Sequence, residues 1–214
     1  MGKRILITGG TGLLGSAIIK LLSEQGYTIA VLSRRKEVRG IKSFYWDYTH
    51  GILNREAIEF ADVIIHLAGE NISGNRWTKK QRKKIIDSRV KTSELLYSMT
   101  EKATHKPHTI ISASAIGYYG TLTTDRIFTE DEQAGNDFLA STVNSLEKRI
   151  DQFKKMDIRT VKLRIGVVLS KEGGALPKML KPARLGLGAV IGNGKQYFPW
   201  IEISDLARMI QFVI

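Results

Sequence analysis

Cysteine, clustered histidine and long apolar runs are all missing from this chain of 214 residues. Without cysteine the chain has no disulfide scaffold, thiolate metal site or thiol nucleophile, and we expect a cytoplasmic protein. Its four histidines are too scattered to indicate a zinc cluster, so no metal is predicted. No run of about 18 apolar residues occurs, and the N-terminal segment lacks the core of a signal peptide, so we expect no membrane span.

Positive charge, in contrast, is abundant: 33 Lys and Arg stand against 21 Asp and Glu, for a formal net charge of +12. The segment from Arg76 to Lys91 holds eight of these cations and a single acid, Asp87. Apolar residues recur there at helical spacing, and Thr78 with Gln81 forms a capping box, which favours an amphipathic helix with a solvated basic face. Binding of an anionic polymer is the weaker hypothesis because Trp77 is the only interleaved aromatic residue, and we do not expect nucleic acid as a partner.

Short β-branched runs alternate with amphipathic helical segments along most of the chain. This alternation predicts an α/β fold with a Rossmann-like, doubly wound parallel sheet. Glycine and proline break up the later part, so we predict a Rossmann domain over residues 1–165 and the start of a small C-terminal substrate lobe over residues 166–214. The last helix, predicted to be capped by Ser204 and Asp205, reaches Ile214 with its apolar face still continuing, so we expect a chain cut inside an element.

The turn from Thr8 to Gly15 has a glycine at every third position and separates the first predicted strand from the first predicted helix. Glycine permits a sharp turn, close approach of a pyrophosphate to backbone N–H groups and tight packing of helix on sheet. The N-terminus of the helix then faces the phosphate charge. The turn therefore predicts dinucleotide binding by Gly9, Thr11, Gly12, Leu13, Leu14 and Gly15.

The end of the second predicted strand bears on the choice of cofactor. Sites for NAD usually place an Asp or Glu about 20 residues after the glycines to hold the ribose 2′-OH. Here the sequence has Ser33, Arg34 and Arg35, whose hydroxyl and guanidinium groups can bind a 2′-phosphate through charge-assisted hydrogen bonds. We therefore predict NADP(H) rather than NAD(H), with exposed loop charges as the alternative interpretation of the two arginines.

Several stretches in order along the chain resemble one family. They are the glycine turn, His66 to Thr78, Asp87 to Val90, Ser112 to Gly120, Arg164 to Leu169 and Trp200 with Ile201. Together they resemble the extended short-chain dehydrogenase/reductase superfamily and, more narrowly, its nucleoside-diphosphate-sugar epimerase-like family, within the NAD-dependent epimerase/dehydratase family. The resemblance implies that Leu67, Ala68 and Gly69 contact the cofactor and that Asp47 lies beside the adenine.

The proton-transfer pair typical of that superfamily is missing. Its oxidoreductases typically use a Tyr as acid or base, with a Lys four residues later that stabilises the phenolate. None of the seven tyrosines has a Lys at that spacing, and Phe138 with Thr142 stands where the pair is expected. Ser114, Tyr118 and Tyr119 are the candidate catalytic hydroxyls because they follow the fifth predicted strand at the carboxyl edge of the sheet. The alternative is that the tyrosines only shape their loop.

Asn71, Arg76 and Arg89 are predicted to bind substrate, since two guanidinium groups can clamp an anionic group. Alternatively, Arg89 pairs with Asp87 or another carboxylate. The leading hypothesis is an NADP(H)-binding epimerase or oxidoreductase for a small polar substrate, sugar nucleotides included. The alternative is a non-enzymatic NADP(H)-responsive binding or regulatory protein on the same fold. The oligomeric state stays open.

Overall fold

The computed structural model describes residues 2–35, 38, 40–73, 75–121, 124–188, 190 and 193–214. The strands in these residues are β1 (Arg4–Thr8), β2 (Thr28–Ser33), β3 (Lys42–Asp47), β4 (Ile52–Leu53), β5 (Val63–His66), β6 (Thr109–Ala115), β7 (Arg159–Ile165), β8 (Val167–Ser170), β9 (Gly173–Gly174) and β10 (Trp200–Glu202). The α-helices are α1 (Leu13–Glu24), α2 (Arg55–Phe60), α3 (Lys79–Lys102), α4 (Phe138–Asp151), α5 (Ala175–Arg184) and α6 (Ile203–Phe212). Two 3-10 turns, Ile116–Tyr119 and Gln152–Met156, follow β6 and α4.

Seven strands form one sheet in the order β4-β3-β2-β1-β5-β6-β7. Its pairings are parallel, apart from the antiparallel contact of β3 with β4. The chain runs outward from β1 through β2 and β3 and then returns to the other side of β1 as β5. The strand order therefore reverses between β1 and β5, and a ligand site is expected beyond the carboxyl ends of these two strands. The predicted Rossmann-like α/β fold is confirmed.

The central strands are apolar because helices cover both faces of the sheet. On one face, Leu6 and Ile64 pack in a core with residues of α2, α3 and α4. On the other, Ile5, Ile7 and Ile65 pack with residues of α1 and α6. Each of these fully buried side chains contributes about 2 kcal/mol through removal of its apolar surface from water. The two cores hold the carboxyl ends of the strands in fixed positions.

A smaller sheet with the order β10-β8-β9 follows the main sheet. Beyond it, α6 packs along α1, and its residues Leu206, Ala207 and Ile210 share a core with Ile18. The end of the range 166–214 is therefore integrated with the main sheet, and a separate substrate lobe over that range stays a prediction. Among the described helices, none combines the length and apolar character that a membrane crossing requires.

One helix start was predicted wrongly, and two helices, α2 and α5, were not predicted. Helix α6 begins at Ile203 because the Glu202 carboxylate, rather than Ser204, provides the cap and accepts a hydrogen bond from Ser204 N at 2.6 Å. The short helix α2 was missed, although Asn54 caps it by accepting a hydrogen bond from Glu56 N at 2.9 Å. Thr78 caps α3 as predicted, with its Oγ1 accepting from Gln81 N at 3.2 Å. The second half of the capping box does not form, because Thr78 N donates to Arg76 O at 2.8 Å and the Gln81 side chain donates to Glu70 Oε1 at 3.3 Å.

Candidate functional site

A cleft of about 660 Å³ opens at the carboxyl edge of the sheet, and we call it the β1–β5 cleft. Its walls come from the turn after β1, the ends of β2 and β3, the segment after β5 and one side of α3. The lining residues are Gly9, Thr11, Gly12, Leu32, Ser33, Arg34, Arg35, Trp46, Tyr48, Leu67, Ala68, Gly69, Glu70, Ser88 and Thr92. The cleft lies where the strand order reverses, as in other open α/β sheets that bind nucleotides.

The glycine turn after β1 forms the base of this cleft. Gly9 has a φ of +70°, and its carbonyl oxygen accepts a hydrogen bond from Gly12 N at 3.0 Å. A Cβ atom on Gly15 would lie 2.4 Å from the same oxygen, so a side chain at this position would force the turn apart. Helix α1 begins at Leu13, with no side chain capping its N-terminus and no acidic residue in its first turn. Its first N–H groups and the positive end of its dipole therefore suit an anion.

Ser33, Arg34 and Arg35 line the same cleft at the end of β2. Ser33 Oγ accepts a hydrogen bond from Arg35 N at 3.0 Å, which leaves the proton of the hydroxyl for another acceptor. Ser43 Oγ donates to Arg35 O at 3.0 Å and so holds the backbone at this point. The two arginine side chains are exposed. One hydroxyl and two cations therefore stand at this end of the cleft.

Asp47 is engaged in its own turn at the end of β3. Its carboxylate accepts hydrogen bonds from Thr49 Oγ1 at 2.6 Å, Thr49 N at 2.8 Å and His50 Nδ1 at 2.8 Å. The hydrogen bonds from Thr49 and then His50 hold the pKa of Asp47 far below its ordinary value. Its neighbours Trp46 and Tyr48, rather than Asp47 itself, line the β1–β5 cleft. A contact of Asp47 with adenine stays a prediction.

Arg89 supports the segment after β5 from beneath. Its Nη1 and Nη2 each donate to Glu70 O at 3.2 Å, and Nη1 also donates to Ile85 O at 3.0 Å. A Cβ atom on Gly69 would lie 3.1 Å from Arg89 Cζ, so the glycine allows the guanidinium to lie close under the backbone. Burial lowers the pKa of Arg89. The guanidinium contacts backbone carbonyls rather than Asp87, and its predicted contact with substrate stays a prediction.

The other two predicted substrate residues lie between β5 and α3. Asn71 is exposed, and its Oδ1 accepts hydrogen bonds from Ser73 N at 2.8 Å and Ser73 Oγ at 2.9 Å. Arg76 is also exposed, and its carbonyl accepts from Thr78 N at 2.8 Å. Neither residue lines the β1–β5 cleft, so their role in substrate binding stays a prediction.

Ser114 belongs to a second polar region, at the ends of β6 and β7. Its Oγ donates to Glu147 Oε1 at 2.5 Å. Arg164 pairs with both oxygens of the same carboxylate, from Nε to Oε1 and from Nη2 to Oε2, each at 3.0 Å. Burial alone would raise the pKa of Glu147, but the hydrogen bonds from Arg164 and Ser114 outweigh it and the pKa is lowered. The carboxylate is therefore held in its ionised form.

Both candidate tyrosines contact the same arginine. Arg164 Nη1 donates to the hydroxyl of Tyr119 at 2.9 Å, and this hydroxyl donates to Thr129 O at 3.0 Å. The guanidinium carbon of Arg164 lies 3.5 Å from the centre of the Tyr118 ring. Within the described residues, the hydroxyl of Tyr118 makes no hydrogen bond. Ser114, Tyr118, Tyr119, Glu147 and Arg164 are called the Glu147 cluster below.

Phe138 and Thr142 stand where a Tyr and Lys pair was expected, at the start of α4. The Phe138 ring meets Trp77 edge-on at 5.6 Å between ring centres, and the guanidinium of Arg82 lies 5.1 Å from it. Thr142 Oγ1 donates to Phe138 O at 2.7 Å, inside the helix. Phe138 has no hydroxyl that could transfer a proton, and the hydroxyl of Thr142 is bonded to the backbone. The two residues therefore cannot replace the missing Tyr and Lys.

Sequence reasoning missed Glu147 and Arg164, which hold the cluster together. Glu147 lies on the buried stripe of α4 that also carries Val143, Leu146 and Ile150. A carboxylate on an apolar stripe is rarely buried without a partner, and this was the available signal. Among the described residues, no group of three or more metal-ligating side chains occurs.

Comparison with known proteins identifies the family. The model of the NAD dependent epimerase/dehydratase family matches residues 5–214. The chain belongs to this family. It is 38% identical over 214 residues to the epimerase family protein YfhF of Bacillus subtilis, an alignment covering 98% of this chain and 69% of the relative.

Two solved structures of family relatives are also similar to this chain. The human epimerase family protein SDR39U1, solved with NADPH, gives a TM-score of 0.82 at 33% identity, covering 97% of this chain and 68% of that one. The nucleoside-diphosphate sugar epimerase from Corynebacterium glutamicum gives a TM-score of 0.84 at 32% identity, covering 99% of this chain and 43% of that one. The resemblance seen in the sequence is thereby confirmed.

Proposed function

We propose that this epimerase/dehydratase family member binds NADP(H) in the β1–β5 cleft. The proposal rests on one observation: Ser33, Arg34 and Arg35 line the same cleft as the glycine turn. A hydroxyl and two exposed guanidinium groups suit the dianionic 2′-phosphate, whereas a free 2′-OH would be served by a carboxylate. The NADPH in the structure of the human relative supports the same assignment.

The remaining parts of the cleft would each bind a different part of the cofactor. The backbone N–H groups from Gly9 to Gly15 would hold the pyrophosphate, because the N-terminus of α1 has no acidic side chain that competes. The aromatic wall of Trp46 and Tyr48 would face the adenosine half. The segment from Leu67 to Gly69 follows β5, and the adjacent strand β6 carries Ser114 of the Glu147 cluster.

NADP(H) would supply a hydride acceptor or donor, and the chain would supply the proton transfer. We propose Tyr118 for this step, because its hydroxyl makes no hydrogen bond to a described residue while Ser114 and Tyr119 donate their protons to Glu147 and Thr129. The overall function is an NADP(H)-dependent oxidoreductase or epimerase for a small polar substrate. A nucleoside-diphosphate sugar is the substrate class we favour, in keeping with the name of the Corynebacterium glutamicum relative.

Cofactor binding can be tested with fragments that differ only in the 2′-phosphate. Calorimetry should show adenosine 2′,5′-bisphosphate binding at least about tenfold tighter than AMP, because charge-assisted hydrogen bonds contribute about 1.5–3 kcal/mol each. The preference should shrink in Arg34→Ala and persist in Arg55→Ala, which removes a cation paired with Glu59 on α2. Equal affinities for the two fragments would refute NADP(H) binding by these residues.

Catalysis requires a second experiment. Wild-type protein is incubated with NADP⁺ or NADPH and a panel of nucleoside-diphosphate sugars and small carbonyl compounds, and both absorbance of the cofactor and sugar configuration are followed. We expect turnover that Tyr118→Phe abolishes and Tyr119→Phe only reduces, because Tyr119 already donates its proton to Thr129 O. Tight NADPH binding without turnover of any compound would support the non-enzymatic alternative instead.

A further inference from the structure

The turn after β6 fixes the backbone of Tyr118, the residue proposed above for proton transfer. Tyr118 lies in the 3-10 turn Ile116–Tyr119. Its carbonyl oxygen accepts a hydrogen bond from Gly135 N at 2.8 Å. A Cβ atom on Gly135 would lie 2.8 Å from Tyr119 O, so the loop before α4 packs directly on the turn. The point at which the Tyr118 side chain leaves the backbone is therefore set by this loop.

Other contacts set the orientation of the Tyr118 ring. Its hydroxyl makes no hydrogen bond within the described residues, so the hydroxyl does not anchor the ring. The Tyr119 ring meets it edge-on at 5.5 Å between ring centres, and the guanidinium carbon of Arg164 lies 3.5 Å from its centre. A cation over the face of an aromatic ring is attracted by the negative charge of that face. The orientation of the ring therefore depends on how firmly the guanidinium is held.

Four hydrogen bonds hold the Arg164 guanidinium along its edge. Nε and Nη2 donate to the two oxygens of Glu147, each at 3.0 Å, and Nη1 donates to the hydroxyl of Tyr119 at 2.9 Å and to Glu130 O at 3.0 Å. These donors lie in the plane of the guanidinium, so its flat faces stay free for stacking. The Arg164 side chain is 14% exposed and that of Glu147 is 4% exposed. The bidentate pair therefore resists rotation of the guanidinium.

Glu147 is held in turn from the sheet. Ser114 lies opposite Arg164 in the register of β6 with β7, and its Oγ donates to Glu147 Oε1 at 2.5 Å. The hydrogen bonds to Glu147 raise the pKa of Arg164, so the cation beside the Tyr118 ring keeps its charge. Because Glu147 comes from α4, the ion pair joins this helix to both strands. A shift of α4 against the sheet would move the guanidinium that faces Tyr118.

We infer that Arg164, held by Glu147, is the positioning residue for Tyr118: its guanidinium supports the face of the phenol ring and so keeps the hydroxyl in one place for proton transfer. Arg164 exchanges no proton itself and acts through the tyrosine. The inference rests on the proposed function, in which Tyr118 transfers the proton, but the orientation of the ring can be measured without cofactor or substrate. It gives the ion pair a task that an uncharged pair of the same size could not perform.

The test uses a variant that removes both charges of the pair at once. Glu147→Gln/Arg164→Met leaves neither partner as an unpaired buried charge, and glutamine keeps an acceptor for Ser114 Oγ. Removing both charges of a buried pair costs far less stability than removing one, so this protein should fold. Glu94→Gln/Arg149→Met makes the same change in an exposed pair and is the control. A loss of positioning is thereby separated from a loss of stability.

The first measurement follows the Tyr118 ring in the protein alone by ¹³C relaxation. We expect an order parameter of about 0.85 in the wild type and in the control, and below about 0.6 in Glu147→Gln/Arg164→Met. Tyr119→Phe breaks one bond to Arg164 but leaves both bonds to Glu147, so the Tyr118 ring should stay rigid in that protein. A rigid Tyr118 ring in the folded double variant would overturn the inference, whether or not the protein turns over any compound.

The second measurement is kinetic and uses a compound that the wild type turns over. The kcat of Glu147→Gln/Arg164→Met should fall at least about tenfold with KM nearly unchanged, because the hydroxyl of Tyr118 loses its fixed position while substrate binding is kept. The control should keep the wild-type kcat. An unchanged kcat in the folded double variant would contradict the inference. A wild type that turns over no compound would refute the proposed function, and the ring measurement would still decide the role of Arg164.

If the double variant does not fold, Arg164→Lys replaces it. Lysine keeps the ion pair with Glu147 but has no flat group that can stack on the Tyr118 ring. We therefore expect the same drop in the order parameter of the ring and in kcat. A rigid Tyr118 ring in folded Arg164→Lys protein would equally overturn the inference.

Discussion

The β1–β5 cleft and the Glu147 cluster lie at the same edge of one sheet and contain the same kinds of side chain. The two regions differ in whether those side chains have partners within the protein. In the cleft, Arg34 and Arg35 are exposed and Ser33 keeps a proton for an outside acceptor. In the cluster, Arg164 is bonded to both oxygens of Glu147. Cations left apart from carboxylates attract an anion, whereas a closed network holds its own geometry. The cleft is therefore built to bind, and the cluster mainly to hold the β6 and β7 ends.

The largest expected effect comes from opening the closed network. Glu147→Gln should lower the free energy of unfolding by about 3 kcal/mol, because it leaves the Arg164 guanidinium without its buried counter-charge. Glu94→Gln is the matched control, since Glu94 pairs with Arg149 at 2.7 Å in a pair whose side chains are 43% and 40% exposed. An exposed pair is worth at most about 1 kcal/mol. Urea unfolding gives the free energy of unfolding of both variants. Equal losses in the two would show that the Glu147 cluster is no stronger than an ordinary surface ion pair.

The next effect concerns acid stability beneath the cleft. Burial, and then the charge of Arg89, lower the pKa of His66 to about 4 in the folded protein from its ordinary value of 6.5. As pH falls, the unfolded chain takes up this proton first, so the free energy of unfolding should drop by about 3 kcal/mol between pH 6.5 and pH 4 and level off for this group below that. Subtracting the pH dependence of His66→Gln isolates this contribution. A difference curve that is flat over this interval would contradict the buried neutral imidazole.

A third change affects the cleft itself. Gly15→Ala should weaken NADPH binding by about a hundredfold, since the new Cβ would lie 2.4 Å from Gly9 O and the turn must open to relieve the contact. Gly188→Ala is the control, because nothing lies within 4 Å of the Cβ added there. Calorimetry compares the two proteins. Wild-type affinity in Gly15→Ala would show that the turn does not hold the pyrophosphate.

The smallest effect separates the two tyrosines of the Glu147 cluster. Tyr119→Phe should lower the free energy of unfolding by about 1 kcal/mol, because Arg164 Nη1 and Thr129 O each lose one hydrogen bond. Nη1 keeps its bond to Glu130 O and Thr129 O keeps its bond from Glu132 N, which limits the loss. Tyr118→Phe keeps the ring that stacks on Arg164 and loses no hydrogen bond to a described residue, so a smaller change is expected. If urea unfolding shows a larger loss of free energy for Tyr118→Phe than for Tyr119→Phe, the assignment of Tyr119 as the hydrogen-bonded hydroxyl is wrong.

The sequence predicted the cleft better than the cluster because the features of the cleft are local. The glycine spacing reflects contacts among residues 9 to 15, and Ser33 to Arg35 follow β2 directly along the chain. Such features need only the order of strand, turn and helix. The family resemblance rested on similarly short stretches, and the match over residues 5–214 confirms it.

The cluster depends on register and helix phase, which the sequence does not specify by itself. Ser114 meets Arg164 because β6 and β7 pair in that register, and Glu147 reaches both only because α4 packs over the two strands. The orientation of Arg89 was missed for a similar reason. The sequence places it in the basic segment of α3, but it lies four residues after the buried Ile85, and its guanidinium donates to Ile85 O. Tertiary packing decided the orientation in each case.

The β1–β5 cleft, unlike the Glu147 cluster, keeps a hydroxyl and two cations available for a 2′-phosphate. Calorimetric titration of wild-type and Arg34→Ala protein with NADPH and with NADH tests it most directly. We expect the wild type to bind NADPH at least about tenfold tighter than NADH, and Arg34→Ala to lose about tenfold in affinity for NADPH alone. Equal affinity of the wild type for both cofactors, or an equal loss for both in Arg34→Ala, would contradict it.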